Sequence, residues 1–90
     1  MIEPILVKRA EILKAIAHPV RLQILRNLCV KKENVTSLYT NIGLPQSTIS
    51  RHLSVLKNAK VVKNNRKGLE IEYEFDCDQM EKFIKEIINY

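Results

Sequence analysis

Between Val61 and Phe75 the apolar residues change from helical spacing to strict alternation, and this change constrains the fold more tightly than any other feature. Leu69, Ile71, Tyr73 and Phe75 alternate with Glu70, Glu72 and Glu74. That period of two marks a strand with one face on a core. Val61 and Val62 open a partner strand, and Asn64 to Gly68 reads as a turn-rich basic tip. The unit is an antiparallel β-hairpin with an acidic outer face. The remaining segments have helical periods, so the hairpin must pack on helices.

Four helices precede it. Leu6, Ala10, Leu13 and Ala17 recur at i, i+4, i+7 and i+11, an amphipathic helix over 4–17. His18-Pro19 ends it, because a residue before proline avoids helical dihedrals, and Pro19 suits the first turn of the next helix. Leu22, Ile24, Leu25 and Leu28 give this second helix its apolar stripe, up to about Cys29. Lys31-Lys32-Glu33-Asn34 reads as a polar connector. Asn34 or Thr36 can cap a short third helix, about 36–42, buried through Leu38 and Ile42. Gly43 allows a tight turn. Pro45 opens a fourth helix, about 46–58, with Ile49, Leu53 and Leu56 on one face. After the hairpin, Met80, Phe83, Ile84, Ile87 and Ile88 define a last amphipathic helix over 78–89. The order α-α-α-α-β-β-α, with two short helices joined at a glycine and a hairpin behind them, predicts a mainly α winged helix-turn-helix.

Ninety residues make one small domain, taken as 1–90, whose thin core makes a partner subunit plausible. No stretch approaches the ~20 apolar residues of a membrane span, and Pro4, Lys8 and Arg9 interrupt the first apolar run as no secretory leader would be interrupted. The expected location is the cytoplasm, where Cys29 and Cys77 are thiols rather than a structural disulfide. A net charge of +5 hints at a polyanionic partner. Its distribution sharpens the hint. From Pro45 to Leu69 there are six cations (Arg51, Lys57, Lys60, Lys63, Arg66, Lys67) and no acid, whereas Glu70 to Glu86 holds seven acids and two lysines.

The fourth helix carries the densest polar run: Gln46, Ser47, Thr48, Ser50, Arg51 and His52 are six polar residues in seven positions. Catalysis would need an activated nucleophile. His52 lies two residues from Ser50, a spacing that points helix side chains apart, and no glycine-rich phosphate loop or oxyanion hole accompanies them; an enzyme is not expected. Metal binding fares no better, since His18, Cys29, His52, Asp76, Cys77 and Asp78 show no Cys-x-x-Cys or His-x-x-x-His spacing. No metal and no cofactor are expected. The run does suit duplex DNA. Glutamine can pair with adenine, arginine with guanine, and serine or threonine with bases or phosphates, and the first residues of a recognition helix are the ones that reach base edges. Lys63, Asn64, Asn65, Arg66 and Lys67 would then straddle a phosphate backbone or drop Arg66 into a minor groove.

HPVRLQILRNL, LPQSTISRHLSVLKNAKVV and NRKGLEIEYEF together resemble the ArsR/SmtB family of winged-helix repressors, over about residues 8–88. The resemblance implies a homodimer whose first and last helices pack across a two-fold axis, through Leu6, Ala10, Leu13, Phe83, Ile84, Ile87 and Ile88. It implies repression by binding an imperfect palindrome, with Gln46, Ser47, Ser50 and Arg51 at the base-reading positions and His52 beside them. The family's metal sites do not carry over: Asn34 and Thr36 stand where one site has Cys-x-Cys, Asp76-Cys77-Asp78 is the nearest match to the other, and no histidine follows His52. The chain therefore looks closest to the branch that lacks these sites. Some relatives sense oxidants or persulfides through a cysteine in the second helix and one in the last, a plan that Cys29 and Cys77 approach without matching. Two other readings are an oxidant-responsive repressor using that pair, and a protein-binding winged helix.

Overall fold

The computed structural model describes residues 1–90. Its elements are α1 (Pro4–Ile16), α2 (Pro19–Val30), β1 (Glu33–Asn34), α3 (Val35–Ile42), α4 (Gln46–Asn58), β2 (Val62–Lys67), β3 (Glu70–Phe75) and α5 (Asp78–Ile88). Helix boundaries follow local chemistry. His18 caps α2, its Nδ1 accepting from the Val20 amide at 3.1 Å, and Pro19 fills the first helical position. Asn34 caps α3, accepting from the Ser37 amide at 2.8 Å. Gly43 ends α3 with φ +82, a left-handed conformation that side-chain-bearing residues adopt at a cost. A Cβ there would meet open space, so Gly43→Ala should cost about 1 kcal/mol from backbone strain alone, read by denaturant titration.

One core of fourteen residues joins all the helices and the base of the hairpin. Ile24 and Leu25 of α2, Leu38 of α3, Ile49, Leu53 and Leu56 of α4, and Ile84 of α5 are fully buried within it. Val61, Val62 and Phe75 close it from the hairpin side. The helix-turn-helix and the hairpin thus share one apolar centre, which holds α4 against the body through its buried face. No helix is long and apolar enough to cross a membrane.

Three expectations are corrected. First, the connector before α3 holds a strand: Glu33 pairs with Tyr73 and Asn34 with Glu72, making a three-stranded antiparallel sheet of order β1-β3-β2. Two polar residues leave no periodic trace, and the free edge of β3 recruits them. Second, β2 runs on to Lys67, so Asn64 to Lys67 are strand residues rather than turn residues. The turn is Gly68-Leu69, with Gly68 at φ +63 in the first central position, where tight hairpin turns place glycine. Leu69 is at the tip, fully exposed, and not in the half-buried row.

Third, the first helix turns its expected stripe away from the core. Ala15 and Ile16 are its buried residues, with Ile12 packed beside them. Every residue from Met1 to Ala10 is exposed, Leu13 is 51% exposed, and Ala17 is the C-cap rather than a buried stripe residue. On α5, Phe83 and Ile87 are also open, whereas Ile84 is fully buried and Ile88 is half-buried against the core. Ile84 is therefore a core residue and not part of an interface. Between α1 and α5 runs an apolar groove of about 510 Å³, floored by Ile12, Leu13, Met80 and Phe83.

Candidate nucleic-acid interface

Helix α4 divides its residues sharply. Ile49, His52, Leu53 and Leu56, at i, i+3, i+4 and i+7, face inward. Gln46, Ser47, Arg51 and Ser54 are exposed, with Thr48 and Ser50 half-buried beside them. Pro45 precedes the helix without a side-chain cap. The Thr48 and Ile49 amides both bond back to the Pro45 carbonyl, at 3.1 and 3.2 Å, which leaves the Gln46 and Ser47 amides open at the exposed start of the helix. These amides and short side chains leave room for a large flat partner to approach, and Arg51 supplies the fork-shaped donor.

His52 does not belong to that exposed row. It is 7% exposed, and its Nδ1 accepts from Arg21 Nε at 3.2 Å. Burial first, then the neighbouring His18, Arg21 and Arg51, hold its pKa below the ordinary histidine value. The spacing from Ile49 to Leu56 contains position 52, so the inward direction is readable in the sequence; the surrounding polar run disguises it. Arg21 is harder still to single out. Its one sequence signal is a cation in the first turn of a helix that opens with His-Pro.

The hairpin is less basic than its tip appears in sequence. Register sets Lys63 against Glu74, Asn65 against Glu72 and Lys67 against Glu70. The acidic face and the basic tip are thus largely one surface, on which Lys63 and Lys67 of β2 meet Glu70, Glu72 and Glu74 of β3. Lys67 Nζ lies 3.4 Å from Glu72 Oε1, Asn65 donates to Glu74 Oε2 at 2.8 Å, and Lys32 approaches Glu74 at 3.9 Å. Arg66 projects from the opposite face, across from Ile71, without an acidic partner. Asn64 on that same face donates to the Tyr73 hydroxyl at 3.3 Å, which orders the sheet more than it offers a free donor.

Both cysteines are free and line one small cavity of about 240 Å³ beside Lys63 and Glu81. Cys29 is buried, and burial pushes its thiol pKa up, with Glu81 adding to this and Lys85 and Arg26 opposing it. A thiol kept protonated is a poor nucleophile toward oxidants. Cys77 is exposed at the N-cap of α5 and caps nothing with its side chain. No group of three or more His, Cys, Asp or Glu side chains is placed so that it could hold a metal ion.

Comparison with known proteins places this geometry among regulators. The family model described as "Bacterial regulatory protein, arsR family" matches residues 18–64. The transcriptional repressor PagR of Bacillus anthracis is 47% identical over 77 residues, covering 84% of this chain and 77% of that protein. Its crystal structure superposes with a TM-score of 0.83 at 44% identity, over 91% of this chain and 94% of that one. HlyU from Vibrio cholerae superposes at 0.89 with 27% identity, over 98% and 96%. The homodimeric winged helix-turn-helix DNA-binding domain Mb0332 of Mycobacterium bovis superposes at 0.91 with 27% identity, over 94% and 79%.

Proposed function

The chain belongs to the arsR family of bacterial regulatory proteins and is a winged helix-turn-helix transcriptional repressor, and from that premise we propose how it holds its operator. Residues 1–90 act in the cytoplasm as one DNA-binding unit and pair as a homodimer. Each protomer sets α4 into a major groove of an imperfect palindrome. Gln46, Ser47, Ser50 and Arg51 read bases there, with Thr48 at the edge of the contact. The observation that carries this reading is the split of α4 into a buried face of Ile49, His52, Leu53 and Leu56 and an outer face of short polar side chains with Arg51 among them. Half-sites then lie about one helical turn, ~34–36 Å, apart or a multiple of it.

The hairpin supplies affinity without sequence. Arg66, free of acids, is its principal phosphate or minor-groove contact, with Lys63 next and Lys67 weakened by Glu72. Leu6, Ala10, Leu13, Phe83 and Ile87, all open in the single chain, form the seam between protomers.

Selection of bound oligonucleotides, followed by binding titrations across salt concentrations, tests these roles. Arg51→Ala should lose about 1–3 kcal/mol of discrimination at one base pair per half-site. Arg66→Ala should weaken all duplexes alike and flatten the salt dependence by about one unit per lost phosphate contact, and Lys67→Ala should do so less. Equal losses on specific and random duplex for Arg51→Ala would overturn the assignment.

A further inference from the structure

Arg21 ties three elements together at the back of the recognition helix. Its Nε donates to His52 Nδ1 in the middle of α4 at 3.2 Å, and its Nη1 donates to the Ala15 carbonyl in the last turn of α1 at 3.1 Å. His18, which caps α2, lays its ring against that of His52, centroids 4.5 Å apart and planes inclined by 43°. One guanidinium therefore spans from the helix that bears the proposed dimer seam to the helix that bears the proposed reading row. His52 is turned inward on α4 while Arg51, its neighbour in sequence, is exposed, so a shift at one rotates the other.

We propose that Arg21 and His52 are positioning residues, whose bond sets the angle of α4 for the operator, and that a proton on His52 undoes it, making operator binding acid-sensitive. The proposal rests on the DNA-binding reading above and adds to it a response to pH.

The chemistry follows from the donor count. A neutral imidazole has one acceptor nitrogen, and here Nδ1 is used to accept from Arg21, so the proton must sit on Nε2. Protonating Nδ1 turns the acceptor into a second donor aimed at a permanently charged guanidinium. The titratable and charged groups facing His52 are His18 at the α1–α2 junction, Arg21 on α2 and Arg51 on α4 itself, with burial the leading influence and no acid among them. The neutral form is favoured in the fold. Its stabilising contribution is complete above the ordinary histidine pKa of about 6.5 and is lost as pH falls through the lower folded value. The direction is diagnostic. Added protons ordinarily strengthen DNA binding by a basic protein, because each adds positive charge near phosphates. Release of the tie works the other way.

The test is operator affinity of the full chain, by fluorescence anisotropy at fixed ionic strength from pH 8 to pH 5, for the wild type, His52→Asn and Arg21→Met. Asparagine places an oxygen where Nδ1 sits, accepts from Arg21 and does not titrate. Wild-type affinity should fall about tenfold between pH 7 and pH 5. H52N should bind at pH 8 and keep its affinity at pH 5, while R21M should bind more weakly already at pH 8. Wild-type affinity that stays level or rises toward pH 5, or an H52N that repeats the wild-type loss, overturns the proposal. Nitrogen-15 imidazole spectra of the DNA-free chain test the tie independently: His52 should be the Nε2–H tautomer at pH 7.5, and a charged or Nδ1–H ring there overturns it. A chain that binds no duplex at pH 8 counts against the DNA-binding reading instead, and the imidazole spectra still decide the tie.

Discussion

Phe83→Glu should yield a folded chain that sediments as a monomer and has lost operator binding by about two to four orders of magnitude. The side chain is 41% exposed on a face that its own chain leaves uncovered. Its replacement should therefore cost the isolated fold only about 1 kcal/mol. In the proposed homodimer the same position is buried against a second copy, and a carboxylate there would have to be stripped of water. Arg9 borders the same groove and can face it, yet a desolvated ion pair gains little over the apolar contact it replaces. The loss on DNA follows from linkage of two half-sites. A monomer engages one, and the roughly 10²–10⁴ gained by tethering the second disappears. Sedimentation velocity and operator titration measure the two effects. A Phe83→Glu protein that stays dimeric, with wild-type affinity, would remove the α1–α5 face from the interface.

The adjacent residue should behave in the opposite way. Ile84 is fully buried beneath α5, where the helix packs on α2. Ile84→Ala leaves a cavity and should cost about 2–5 kcal/mol. That is a large part of the ~5–15 kcal/mol that holds a domain together. The loss should appear as a lower denaturation midpoint by the same free energy at every protein concentration. Dimer dissociation, measured where the variant is folded, should change far less. If Ile84→Ala kept its midpoint and fell apart into monomers, the position would belong to the seam after all.

This pair of neighbours shows what periodicity can and cannot reveal. An apolar stripe identifies residues that avoid water, but not whether the covering surface is the chain's own core or a second chain. Leu6, Leu13 and Phe83 have the spacing of core residues and are open; Ile84 shares the stripe and is closed. The helix-turn-helix and the hairpin are legible because Gly43, Pro19 and the alternation through Phe75 are local signals. His52 is disguised by its polar neighbours, although its phase with Ile49, Leu53 and Leu56 points inward. The charge balance of the hairpin depends on register. Cations at 63, 66 and 67 are obvious in sequence, but which of them meets a glutamate is settled by how β2 aligns with β3. Arg21 lacks any periodic signature, since its partners, Ala15 and His52, are brought near only by the packed fold.

The two-residue strand β1 has a mechanical consequence. It fastens the segment between α2 and α3 to the outer side of β3, and Asn34 adds a 3.1 Å bond to Glu70 near the hairpin's end. A hairpin joined to its domain at one end alone would flex about that hinge. Here it is splinted on a second side, close to the cap of the first helix of the helix-turn-helix. The wing and the recognition helix should therefore move as one body, with amide protons of β3 exchanging as slowly as those of α4.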